Sequence, residues 1–171
     1  MSKTKHIDNE CNISEAYRYL ANAKETLGKS QIEYGRYCDS KYVREAAGMA
    51  YLAALKALDV YFVSIGTEKK KLPKSIDGYW NLIHSKIPLN GKLSAAMSNV
   101  YENMHVFAYY RGGTELNLVK AGFENARKVI EMISKLMDKT SARNIVCETE
   151  TTYKKKNKTE KLVQHRTKVK S

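Results

Sequence analysis

The chain is poor in the features that small secreted or metal-stapled proteins depend on. Its three cysteines, Cys11, Cys38 and Cys147, are odd in number, widely spaced and never in a C-x-x-C pair, so neither a disulfide framework nor a zinc knuckle is indicated. They read as reduced thiols. No run of eighteen apolar residues occurs, and the opening "MSKTKHIDNE" lacks the apolar stretch of a secretory signal. No membrane span is expected, and a cytoplasmic location is. No spacing among His, Cys, Asp and Glu forms a plausible metal cage, and "YYRGGT" lacks the strand and glycine spacing of a phosphate loop. Neither metal nor cofactor is expected. Strand-type alternation is missing throughout.

What the sequence does have is positive charge and helical periodicity. Thirty Lys+Arg against eighteen Asp+Glu give +12, which points to an anionic partner. The excess is uneven, because residues 139–171 hold ten basic and three acidic residues and so carry seven of the twelve charges. That segment has few large apolar residues and no sustained period, so it cannot bury enough surface to offset its ordering entropy. It is expected to be a disordered basic tail, and its Lys154, Lys155, Lys156 and Lys158 would attract RNA or another polyanion.

Glycine and proline divide residues 12–138 into helical segments. The first, 12–28, opens on Asn12 with Glu15 three residues on, the spacing of a capping box, and shows Ile13, Ala16, Tyr17, Leu20, Ala23 and Leu27 on one face. The second, 39–65, starts at Asp39 or Ser40. Ala47, Ala50, Ala54, Leu58, Tyr61 and Ile65 form its stripe, widened by Tyr42, Met49, Leu52 and Leu55, which predicts a central helix. A short third segment is capped by Ser75 and turns Ile76, Trp80 and Ile83 inward. The fourth, 90–111, buries Leu93, Ala96, Met97, Val100, Met104 and Phe107. The fifth starts at Thr114 and repeats Leu116, Val119, Phe123, Ala126, Ile130, Ile133 and Met137. Short connections make neighbours antiparallel. The expected fold is all-α: an up-down four-helix bundle with a short extra helix over 12–138, a flexible N-terminus at 1–11 and the tail at 139–171.

Two stretches carry candidate chemistry. In "EYGRYCDSKYVRE", Tyr34, Arg36, Tyr37, Lys41, Tyr42 and Arg44 interleave rings and cations as a single-stranded nucleic-acid site does, although Glu33, Asp39 and Glu45 dilute the charge. In "HVFAYYRGG", His105 and Arg111 flank Tyr109 and Tyr110. His6, His84 and His165 are isolated. Six α-helical steps of about 100° set His105 and Arg111 roughly 120° apart, so they do not share a face. The simpler reading gives Arg111 to the negative end of the helix dipole before Gly112 ends the helix.

"NISEAYRYLANAKETL", "SKYVREAAGMAYLAALKALDVYFVSIG" and "YYRGGTELNLVKAGFENARKVIEMI" together resemble the HEPN superfamily of helical bundles, an uncharacterised bacterial branch of it, over about residues 12–138. The likeness rests on helix order, the alanine-rich second helix and the aromatic-glycine exit into the last. It implies RNA-cleaving toxins or partners of nucleotidyltransferases. The nucleases of that superfamily place a histidine four to six residues after an arginine, where the histidine moves the 2′-hydroxyl proton and the arginine stabilises phosphate charge. No arginine here has such a histidine, and His105 with Arg111 reverses the order. The expected function is therefore a non-catalytic binding module for a protein partner or RNA, with self-association through the broad apolar face of the second helix. The alternatives are a metal-independent ribonuclease using His105, Arg111 and Tyr109 or Tyr110, or the non-catalytic partner of a nucleotidyltransferase.

Overall fold

A computed structural model of the protein describes residues 12–140. The chain divides into two compact units, Met1–Ser134 and Lys135–Ser171. The first is the helical bundle. Of the second, residues 135–140 are helical, two residues past the predicted start of the tail, and the rest of the tail lies outside the described residues. The helices are α1 (Ile13–Leu27), α2 (Ser40–Ser64), α3 (Ile76–Lys86), α4 (Gly91–Val100) and α5 (residues 116–140).

The caps follow the sequence, with two differences. The side chains of Asn12, Asp39 and Ser75 accept from the backbone N–H groups of Ser14, Lys41 and Gly78. Glu15, however, does not reach back to complete a capping box, because its carboxylate holds Arg18 at 2.6 Å. Asn90 makes no cap bond for α4. Its Nδ2 donates to the carbonyls of Ile83 and Ile87 at 3.2 and 2.9 Å, satisfying the free carbonyl end of α3.

Helix α2 is central. Eleven of its side chains are buried, among them Ala47, Ala50, Ala54, Leu58 and Tyr61 of the predicted stripe. By length and composition it could cross a membrane, but its apolar circumference is taken up by bundle packing, and Leu52 is the large side chain left half-exposed on it. On α3, Tyr79 is buried where Trp80 was expected, because its hydroxyl donates to Asp59 of α2 at 2.8 Å. From α4, the residues 101–110 that continue it, and α5, Leu93, Met97, Val100, Met104, Val119, Phe123, Ile130 and Ile133 complete the core. A polar rung crosses between them: Asn125 Nδ2 donates to Asn99 Oδ1 at 3.1 Å, and Asn103 donates to the same oxygen at 3.2 Å.

Two features depart from the predicted helices. The first is a hairpin, β1 (Ile32–Glu33) and β2 (Arg36–Tyr37), antiparallel, turned by Tyr34 and Gly35 with φ of 49° and 75°. Two successive left-handed residues twist a two-residue turn to match the strands it joins. Strands this short leave no periodic trace in sequence. The second is that the fourth helix does not stay α-helical. Tyr101–Tyr110 winds as a π-helix, ending with the Arg111 N–H donating to the Val106 carbonyl five residues back at 3.0 Å. The segment packs close to α5, since a Cβ on Gly122 would collide with the Met104 side chain.

Candidate nucleic-acid interface

The hairpin joins the two distant candidate stretches. Its Tyr37 N–H donates to the Thr114 carbonyl at 2.9 Å, and the Leu116 N–H donates to the Gly35 carbonyl at 2.9 Å, so the strand pair fixes the start of α5. Arg36 pairs with Glu115 at 2.9 Å across the same bridge. From the first turn of α2, Arg44 reaches the end of the π-helix, where its Nη1 donates to the carbonyls of Tyr109 and Tyr110 at 2.8 and 3.1 Å. These are carbonyls that a helix end leaves without backbone partners. Gly112, at φ 73°, lies against the Arg44 guanidinium, and a side chain there would displace it. One end of the bundle thus gathers residues 32–44 and 109–116.

The candidates in these stretches divide by what holds them. Arg36 and Arg44 are structural: one is paired with Glu115, the other caps a helix. The Tyr37 ring is buried, and burial raises its hydroxyl above the ordinary phenol pKa. It has no free face for a base. Tyr34 is fully exposed at the hairpin tip, Tyr110 is 74% and Tyr109 48% exposed, and Lys41 and Arg111, the latter next to Tyr110 in sequence, are exposed too. Lys41 Nζ lies 5.9 Å from the Tyr42 ring centroid. Lys154, Lys155, Lys156 and Lys158 lie outside the described residues, as do Cys11 and Cys147. Cys38, exposed, has a thiol raised above its ordinary pKa by local desolvation and by the negative charge of Glu33, which suppresses the reactive thiolate.

His105 sits in an aromatic ladder. Tyr101, His105 and Tyr109, four residues apart on the π-helix, are near-parallel at 5.4 and 5.9 Å between centroids, and Tyr51 of α2 stacks on the imidazole at 4.7 Å. Burial, with the neighbouring Tyr101 phenol second, pushes Tyr51 up to about 12. Gly48, one turn before Tyr51, lets α2 pass under the Tyr109 ring, which would stand 3.3 Å from a Cβ at that position. Sequence reading picked out His105 and Tyr109 but missed Tyr51 and Tyr101. The i, i+4 spacing of Tyr101, His105 and Tyr109 was the available signal, whereas Tyr51 joins them only through tertiary packing. The 100° step used to separate His105 from Arg111 does not apply, because a π-helix turns less per residue. The imidazole faces are stacked against these rings, and His105 is half-buried.

Among the described residues, no group of three or more His, Cys, Asp or Glu is placed to hold a metal ion. The family model for a domain of unknown function (DUF5618) matches residues 11–135. No curated protein matches the chain. A solved structure, a protein of unknown function from Dyadobacter fermentans, is 38% identical, with a TM-score of 0.62 over 72% of this chain and 94% of that one.

Proposed function

The chain belongs to the DUF5618 family, and from that premise we propose that it is a non-catalytic binding module that holds single-stranded RNA at the hairpin end of its bundle. The observation that carries this is the exposure of Tyr34 and Tyr110, large rings at the end of the bundle that also carries the exposed cations Lys41 and Arg111. Exposed rings accept bases by stacking without reading their sequence, and neighbouring cations hold the phosphates. The HEPN likeness belongs to the same proposal, as does a cytoplasmic location. The aromatic-glycine exit that suggested the likeness is the segment where Arg44 caps the π-helix. A ribonuclease has less support, since no arginine here has a histidine four to six residues after it.

The test is fluorescence anisotropy of a labelled oligouridine. Saturable binding, weakened about tenfold or more in Tyr34→Ala/Tyr110→Ala, is expected, because each stacked base is worth about 1–3 kcal/mol. Both side chains are exposed, so circular dichroism should be unchanged. Equal affinity of the double variant overturns the reading and leaves the surface to a protein partner.

A further inference from the structure

A second concave site lies beside the hairpin, a groove of about 390 Å³ between the end of α1, the strand pair and α5. Its floor is apolar: Leu27, Ile32, Phe123 and the ring of Tyr37. Ile32 is 49% exposed, an apolar side chain that nothing in the bundle covers. The rim is cationic, with Lys24 from α1 and Lys120 and Arg127 from α5. Their states differ. Arg127 is bound to Glu131 at 2.7 Å, whereas Lys24 and Lys120 have no ion pair among the described residues. Glu124 is the one acid in the lining, and it limits how much negative charge the groove would accept.

We propose that this groove binds a small apolar monoanion, a molecule with one carboxylate on an acyl or aryl body. The volume is within the range of small-molecule sites, and an apolar floor with a few convergent charges is how such sites combine burial with orientation. Burying the ligand body on Ile32, Leu27 and Phe123 supplies the non-directional part of affinity. Two lysines that line the groove from different helices, Lys24 of α1 and Lys120 of α5, favour an anion over an uncharged molecule of the same shape. A polyphosphate is disfavoured by Glu124, and a long polymer by the size of the groove. Neither Tyr34 nor Tyr110 lines the groove, so the site is distinct from the stacking surface although both use the hairpin.

The full chain is titrated with 8-anilinonaphthalene-1-sulfonate, an aryl monoanion whose fluorescence rises on burial, with decanoate and decanol as competitors. Saturable one-to-one binding is expected, displaced by decanoate but not by decanol at equal concentration. Lys24→Gln/Lys120→Gln should weaken the probe about tenfold or more while leaving the far-ultraviolet circular dichroism unchanged, since both residues are exposed. Amide shifts in a parallel NMR titration should centre on Gly28, Lys120 and Phe123. Non-saturable binding, displacement by decanol as good as by decanoate, unchanged affinity in the double variant, or shifts centred elsewhere would each overturn the proposal. Oligouridine should not displace the probe, and displacement would merge this groove with the RNA surface and overturn its separate assignment.

Discussion

Asp59 and Tyr79 show how a single side chain chose one helix face over another. The sequence predicts Trp80 inside and leaves Tyr79 unassigned, because at the residue scale both are large aromatics on neighbouring faces of α3. The hydrogen bond to Asp59 decides for Tyr79, and that partner lies twenty residues away. Burial raises the Asp59 pKa, opposed by the Tyr79 bond and the nearby Lys56. An acid raised on folding contributes stability below its ordinary carboxyl pKa, and that contribution is lost as pH rises through the raised value. Asp59→Asn, which keeps an oxygen for the Tyr79 hydroxyl, should therefore raise Tm at pH 7 by about 1–3 °C and show no advantage near pH 4. Calorimetry at the two pH values checks this, and a lower Tm at pH 7 would mean that attraction to Lys56 outweighs burial. His105 is the second residue-scale case. His105→Ala should cost about 1 kcal/mol in urea unfolding, because the three tyrosine rings lose the imidazole they stack on. Neither wild type nor variant should cleave total RNA in chelator.

At the scale of elements, helix order, most caps and the buried stripes were legible, since 3.6-residue periodicity is written in every turn. Ala47, Ala50, Ala54 and Leu58 are buried as the spacing requires. The hairpin and the π-helix were not legible, for different reasons. A two-residue strand has no period to read, and only Tyr34-Gly35 hinted at a turn. The π-helix preserves an apolar pattern that an α-helix would also give, and the wider winding comes with close packing at Gly48 and Gly122. The role of Arg44 was equally hidden, because its carbonyl partners lie more than sixty residues on. Arg44→Ala should destabilise by about 1–2 kcal/mol. Arg44→Lys should recover part of that, since a lysine ammonium on a shorter stem carries the donors but not the planar guanidinium that packs against Gly112. Gly112→Val should cost about 1–3 kcal/mol for its left-handed φ alone, before its clash with Arg44. Chemical denaturation of the three variants checks the set.

For the whole molecule, the candidate site was legible as two unconnected groups of residues and became a surface only when the bundle brought 32–44 and 109–116 together. Folding engages Arg36, Tyr37 and Arg44 in the bundle and leaves Tyr34 and Lys41 exposed, with Tyr110 and Arg111 joining them in the proposed RNA surface. Charge and stacking should separate in solution. Replacing Lys154, Lys155, Lys156 and Lys158 by Ala should flatten the salt dependence of oligouridine binding, by about 0.7 in logarithmic slope for each phosphate that is no longer neutralised. Tyr34→Ala/Tyr110→Ala should lower affinity and leave that slope unchanged. The most direct test of the assigned surface is a nitrogen-15 NMR titration of the full chain with oligouridine. Shifts should cluster at Tyr34, Gly35, Lys41, Tyr110 and Arg111, and shifts confined to residues 139–171, or absent from the hairpin and the end of the π-helix, would contradict it.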